Sequence, residues 1–162
     1  NPLNFYGKTK KKSEKKVMHN NSDALVIRTN FFGRSYAKNN SFSDFIINNL
    51  NRNQEINLFE DVFYTPIHIS YLSNIMMSLA YSSENGIFNV SSSERLSKYE
   101  FGLKIADIYN LNNRLINACS ISSRTDLVIR PNEMSISNEK LTSKMEINIP
   151  CIQDQLKESI ND

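Results

Sequence analysis

The sequence predicts an α/β fold built on parallel strands. The run Ala24-Leu-Val-Ile-Arg28 is apolar without alternation, the pattern of a strand covered on both faces, as in a parallel sheet. It follows directly on a helix-forming stretch. Further along, short apolar runs keep alternating with stretches of helical period, the order in which strands and covering helices build an α/β layer. The 162 residues suit one domain, and a hydrophobic content of 40% can fill a modest core.

The first element is a helix over Asn4 to Val17, opening at an Asn cap. The strand at 24–28 runs into Thr29-Asn-Phe-Phe-Gly33, a polar and aromatic turn lying where ligands bind in such folds, beyond the carboxyl end of the strand. Ser41, with Asp44 three residues on, starts a second helix whose Phe42, Phe45, Ile46 and Leu50 recur at helical spacing. Glu55 to Phe59 and Val62 to Ile69 read as strands, with Pro66 making the second an edge or a bend. A helix capped by Ser70 follows, with Leu72, Ile75, Met76 and Leu79 facing inward, the methionines as core filler. Gly86 to Val90 returns to strand. Ser97 and Glu100 form a capping-box pattern for a helix from about Lys98 to Tyr109, with Tyr99, Leu103 and Ala106 inside. Ala118 to Ile121 reads as a short strand and Asp126 to Met134 as extended, since Pro131 biases Arg130 away from helix. An amphipathic element from Ile152 to Ile160 closes the chain after Pro150.

Composition narrows the function. A net charge of +2 selects no partner. The cluster Lys8, Lys10, Lys11, Lys12, Lys15 and Lys16 spreads around the first helix and is interrupted by Glu14, so it reads as a solvated face rather than a nucleic-acid site. No stretch approaches the ~20 apolar residues of a membrane span, and no signal-peptide pattern opens the chain. Cys119 and Cys151 stand far apart without metal-ligand spacing, and neither His19 nor His68 is near them in sequence. Free thiols in a reducing cytoplasm and no metal are expected; the spacing leaves a disulfide open.

Two sets of residues can carry chemistry. Tyr6 and Lys10 stand four apart and share a helical face. A free tyrosine titrates near pH ~10, and a cation held beside it favours the phenolate, so Tyr6 could exchange a proton as a general acid or base. Arg28, Arg95, Arg124 and Arg130 are the cations suited to a diphosphate, because a guanidinium holds two oxygens at once. Arg130 stands out because Pro131 fixes the chain beside it.

The order of segments is more telling than any one of them. Tyr6-Gly-Lys-Thr-Lys10, then Leu25-Val-Ile-Arg-Thr-Asn-Phe-Phe-Gly33, Phe63-Tyr-Thr-Pro-Ile-His-Ile69, Gly86-Ile-Phe-Asn-Val90, Arg130-Pro131 with Ser137-Asn-Glu-Lys-Leu141, and Ile149-Pro-Cys-Ile-Gln-Asp-Gln-Leu156 together resemble the C-terminal half of extended short-chain dehydrogenases. Within these they are most similar to the dTDP-4-dehydrorhamnose reductase group. The resemblance implies the C-terminal part of a Rossmann-like doubly wound sheet with a small α/β substrate-binding lobe. Residues 1–35 would be the Rossmann remnant and 36–162 mainly the lobe, with 62–90 returning to the Rossmann layer. It implies NADH or NADPH as cofactor and a nucleotide-linked 4-keto-6-deoxy sugar as substrate, in a cytoplasmic enzyme. Tyr6 matches the catalytic proton donor, and Lys10 the lysine that lowers its pKa and holds the nicotinamide ribose. Asn30 and Phe31 match residues lining the cofactor and sugar pocket, and Arg130 the arginine at the substrate diphosphate. Asn89 and Lys140 fall in matching motifs and read as structural. A homodimer is left open.

The chain departs from the family in three places. Phe31 stands where typical dehydrorhamnose reductases carry Trp. The four glycines, Gly7, Gly33, Gly86 and Gly102, form no Gly-rich pyrophosphate turn, and the upstream catalytic Ser or Thr is missing. The N-terminal cofactor-binding half is therefore absent from these residues, and the chain is expected to be a fragment that does not turn over alone. An epimerase or dehydratase of the same superfamily remains an alternative. So does a non-catalytic regulatory subunit, since the one attached to methionine adenosyltransferase resembles the same reductases. The presence of Tyr6 and Lys10 speaks for catalysis, because a binding protein has no chemical need of the pair.

Overall fold

The computed structural model describes residues 2–35, 41–124, 126 and 128–161. Asn1, the segment 36–40 beside the expected domain boundary, and Leu127 of the expected extended stretch lie outside the described residues. In chain order the elements are α1 (Phe5–Asn20), β1 (Leu25–Thr29), β2 (Phe31–Phe32), α2 (Phe42–Asn51), β3 (Ile56–Phe59), β4 (Phe63–Tyr64), β5 (Ile67–His68), α3 (Ile69–Tyr81), β6 (Gly86–Val90), β7 (Leu96–Ser97), α4 (Lys98–Ile108), β8 (Ile116–Cys119), α5 (Glu139–Met145) and α6 (Ile152–Glu158).

The strand pairs are mostly parallel, as the apolar runs predict. β1 pairs with β6 from Leu25↔Gly86 to Thr29↔Val90, β2 with β5, and β3 with β8, while β4 and β7 run antiparallel. Each parallel pair is joined through helices, which is how parallel neighbours are reached.

Two apolar clusters result. The first gathers Ile46 and Leu50 of α2, Ile56 and Leu58 of β3, Phe101 and Ile105 of α4 and Leu156 of α6. Phe101 is its hub: its ring meets Phe32 at 5.1 Å and Tyr64 at 5.7 Å edge-on and stacks with Phe42 at 6.1 Å. The second joins Leu72, Ile75 and Leu79 of α3 to Phe88 and Val90 of β6 and to Leu141 of α5, with Leu25 and Ile27 of β1 against it.

Several expectations need correction. The stretch 62–69 is two short strands, β4 and β5, on either side of Pro66, whose missing N–H breaks the ladder. The cap of α3 is His68, not Ser70, and it makes no side-chain cap bond. Phe45 and Met76 are 40% and 44% exposed; each sits on the shoulder of its stripe. In α4 the buried face is Phe101, Gly102, Ile105 and Ala106, whereas Tyr99 and Leu103 are only half-buried. The face is turned because a side chain at Gly102 would overlap Leu58 of β3, so the helix lies closest to the strand there. The strand expected at 118–121 spans 116–119. Helix α5 has no apolar stripe to betray it, since only Leu141 is buried. β1 is half-buried rather than covered on both faces, because among the described residues it pairs only with β6.

Candidate functional site

The site is organised by the extended segment from Ile129 to Asn138, which laces the two clusters together. Met134 N–H donates to the Phe63 carbonyl at 2.9 Å and Phe63 N–H to the Asn132 carbonyl at 2.7 Å. Asn132 Nδ2 donates to the Asp61 carbonyl at 3.0 Å, while Ser91 Oγ donates to the Ile136 carbonyl at 3.1 Å and Asn138 Nδ2 to the Ser91 carbonyl at 2.8 Å. Glu133 binds Arg95 Nη2 at 2.7 Å while the Arg95 guanidinium lies 3.6 Å above the Phe63 ring. Arg95, then Ser135, hold the Glu133 carboxyl down at about 2. Pro131 keeps Arg130 extended within this strap.

Helix α1 meets the strap at its first turn. Asn4 Oδ1 accepts from Gly7 N–H at 2.9 Å, capping the helix, while Asn4 Nδ2 donates to the Ile129 carbonyl at 3.0 Å. Further along, Arg28 of β1 binds Glu14 through two bonds of 2.9 and 2.6 Å. These polar ties dock a helix that buries no residue. Tyr6, 70% exposed, shares a face with Lys10, whose Nζ lies 5.5 Å from the centre of the Tyr6 ring. Among the described residues no carboxylate pairs with Lys10.

The loop after β1 is tied to the same strap. Asn30 Nδ2 donates to the Met134 carbonyl at 2.9 Å, and its own carbonyl accepts Ile67 N–H at 2.9 Å. Asn30 therefore fixes the loop against β5 and the strap. Phe31 is 61% exposed beside it, while Phe32 turns into the core. Gly33 follows at φ +151°, where Ile69 leaves no room for a side chain.

Arg130 lines a cavity of about 340 Å³ together with Lys98, Phe42, Phe45, Phe59 and Met134. No acidic side chain lines it. Of the four arginines suited to a diphosphate, Arg28 pairs with Glu14, Arg95 with Glu133 and Arg124 with Asp126. Arg130 has no carboxylate partner among the described residues. A second cavity of about 220 Å³ between α2 and α4 has Arg34 and Asp44 in its lining, and the carboxylate makes it the poorer anion site.

The strap holds Arg130 in its own chain, is bonded directly by Asn30, and is tied through Asn4 to the helix that carries Tyr6 and Lys10, while Phe31 is exposed just beyond β1. Asn89 donates to the Ser137 carbonyl at 2.8 Å and Lys140 to the Ile87 carbonyl at 3.0 Å, both holding α5 and the strap to β6. Sequence reasoning missed Lys98 and Phe45. Lys98 Nζ sits 3.3 Å from the Tyr64 ring centre and 4.5 Å from that of Phe42. Burial, then the nearby Arg130, lowers its pKa to about 8. A signal existed: Lys98 is the first residue of α4, where the helix dipole disfavours a cation. Cys119 and Cys151 are free thiols, and the described residues hold no cluster of potential metal ligands. None of the described helices is long and apolar enough to cross a membrane.

Comparison with known proteins is consistent with this architecture. A family model described as RmlD substrate binding domain matches residues 1–162. The chain is 32% identical over 120 residues to the methionine adenosyltransferase 2 subunit beta of Bos taurus, covering 68% of this chain and 35% of that one. It is 22% identical over 158 residues to a probable low-salt glycan biosynthesis reductase of Haloferax volcanii, covering 96% and 53%. The structure of a Bacillus anthracis dTDP-4-dehydrorhamnose reductase in complex with NADP superposes with a TM-score of 0.90 at 22% identity, over 99% of this chain and 56% of that one. The chain spans about a third to a half of the length of these proteins, and it matches a C-terminal portion of Rossmann-like reductases. With the family model running the full length of the sequence, the chain belongs to the RmlD substrate binding domain family.

Proposed function

We propose that this chain is the substrate-binding part of an NAD(P)-dependent reductase of a nucleotide-linked 4-keto-6-deoxy sugar. The observation that carries the reading is the Asn4 side chain, which caps the helix of Tyr6 and also holds the carbonyl next to Arg130. In this reading the nucleotide diphosphate sits at Arg130 and the sugar carbonyl at Tyr6. The likeness to dTDP-4-dehydrorhamnose reductases supports the substrate class. The second cluster, which packs Leu25 and Ile27 of 1–35 with Ile67, Leu72, Ile75, Leu79, Phe88 and Val90 of 62–90, supports assigning those stretches to a Rossmann layer and most of the remainder to a substrate lobe, although Phe32 and Tyr64 pack into the first cluster.

In this reading Tyr6 Oη gives its proton to the carbonyl oxygen of the sugar, and the Lys10 ammonium beside the ring steadies the phenolate left behind. When bound, a reduced nicotinamide supplies the hydride. The residues present fit the nicotinamide end of such a cofactor, since Lys10 is exposed and has no carboxylate partner among the described residues to compete for a ribose hydroxyl. They do not fit the pyrophosphate end, for which these 162 residues offer no Gly-rich strand-turn-helix. Turnover is accordingly proposed for a full-length protein carrying this domain and not for the 162-residue chain alone.

The test is NADH- or NADPH-dependent reduction of a dTDP-4-keto-6-deoxy sugar by the full-length protein, with Tyr6→Phe alongside. The variant should lose about 100-fold or more in rate. An unchanged rate would remove Tyr6 from the chemistry. The 32% identity to a methionine adenosyltransferase subunit favours a second reading, a regulatory subunit that binds the nucleotide without turnover. That reading predicts no reduction by either form and tight association with a methionine adenosyltransferase.

A further inference from the structure

Lys98 breaks a local rule. It opens α4, where an acidic residue is the favoured choice, and the adjoining capping box already has Glu100 Oε2 accepting the Ser97 N–H at 2.7 Å. No carboxylate among the described residues pairs with Lys98. Its ammonium is instead held against the faces of Tyr64 and Phe42, an attraction that steadies the cation but leaves its N–H donors without an anionic acceptor. Arg130 lines the same cavity, also without a carboxylate. Two cations turned into one half-enclosed space repel each other, and the lowered pKa of Lys98 reflects that dehydration and repulsion. Conflicts of this kind between local preference and tertiary position mark functional sites.

We infer that Lys98 is a second phosphate-binding cation, so that Lys98 and Arg130 together grip the two phosphates of a nucleoside diphosphate while Phe42 and Phe45 wall the cavity beside them. The assignment rests on the nucleotide-sugar reading of Arg130 and deepens it. The division of labour follows from the side chains: the flat guanidinium takes two oxygens of one phosphate, and the ammonium acts as a point charge on the other. A cavity of about 340 Å³ lies in the size range of small-molecule sites, and its aromatic walls suit a base or sugar beyond the phosphates. The anion relieves the repulsion between the two cations, which an uncharged ligand cannot do.

The test is calorimetric titration of the 162-residue chain with dTDP and with thymidine. The wild-type chain should bind dTDP. Lys98→Met should bind it at least about tenfold more weakly, the loss of one charge-assisted hydrogen bond, and Lys98→Arg should recover most of the affinity. Thymidine should show no difference among the three. Above pH 8 the wild-type affinity should fall as Lys98 deprotonates, and that of Lys98→Arg should not; the groups facing Lys98 are the Arg130 guanidinium and the Tyr64 phenol, whose pKa burial raises well above 10. A folded Lys98→Met that binds dTDP as tightly as wild type overturns the inference, and if Arg130→Gln then loses binding the nucleotide reading survives without Lys98. A wild-type chain that binds no dTDP overturns the inference. If Lys98→Met loses dTDP binding but the full-length protein reduces no keto sugar, the phosphate grip stands and the reductase reading falls.

Discussion

Helices α1 and α4 each carry a lysine for which a role is proposed, yet they are held in opposite ways. In α4 the residues Phe101, Gly102, Ile105 and Ala106 are buried, and its position is set by the packing of the first cluster. In α1 nothing is buried, and its position is set by the polar ties of Asn4 and of Glu14 with Arg28. The difference separates two tasks. The cavity of Lys98 and Arg130 is built on a packed wall that keeps its geometry without a ligand, whereas the Tyr6–Lys10 pair stands on a surface that another part of a protein could cover. The proposed binding and the proposed chemistry would therefore draw on different kinds of stability.

The sharpest way to break the comparison is to remove a ring from the packed side. Phe101→Ala deletes the hub of the first cluster and should cost about 3–5 kcal/mol in urea unfolding, while Phe5→Ala, at a residue 84% exposed in α1, should stay within about 0.5 kcal/mol. Equal losses would mean that α1 is packed after all.

Lys98→Met tests what the cavity wall costs. At pH 7 the variant should be more stable than wild type by about 1–2 kcal/mol, because it no longer holds a dehydrated charge against Arg130. The unfolded chain keeps a proton on Lys98 up to its ordinary value of 10.5, whereas the folded chain releases it near 8. Wild-type stability thus gains with rising pH between about 8 and 10.5, and the gap to Lys98→Met should close across that window in thermal melts.

On the other side, Asn4→Ala removes both the cap and the tie to Ile129 and should cost about 1 kcal/mol. Asn4→Ser keeps an acceptor for the cap but loses the side-chain amide that donates to the Ile129 carbonyl, so it should leave α1 helical while amide exchange speeds up around Ile129 and Arg130. Exchange unchanged at the strap would show that Asn4 does not couple the two regions. The smallest effect is expected from Glu133→Gln. The Arg95–Glu133 pair is about half exposed on both sides, so its loss should cost under about 1 kcal/mol. Because the Glu133 carboxyl titrates at about 2 rather than 4.5, its contribution is present above pH 4.5 and fades as the pH falls toward 2, and the variant should lack that acid-dependent part of the melting curve.

Much of the fold was legible in the chain because it is signalled locally. Asn4, Ser41 with Asp44, and Ser97 with Glu100 mark helix starts through bonds to residues three positions away, and the largely apolar runs at 24–28 and 86–90 mark parallel strands, of which β1 is half-buried. The pairing of Tyr6 with Lys10 follows from helical spacing alone. Where local signals were weak, the reading slipped: α5 has a single buried residue, the face of α4 is turned by the approach of Gly102 to Leu58, and Phe45 and Met76 lie on shoulders that spacing cannot tell from core.

By itself, then, the sequence determined the fold class, most of the helices and strands, and the family resemblance that singles out Tyr6, Lys10, Asn30, Phe31 and Arg130. Only the tertiary structure decided which of the four candidate arginines are already engaged by carboxylates and which, among the described residues, is not. It also decided that Lys98, fifty-odd residues from Phe42 and about thirty from Arg130 in the chain, faces both across one cavity. The reason is physical: caps and periodicity act over a few residues, whereas ion pairing, dehydration and repulsion between cations depend on distances in space that the packing of the first cluster and the strap from Ile129 to Asn138 set together.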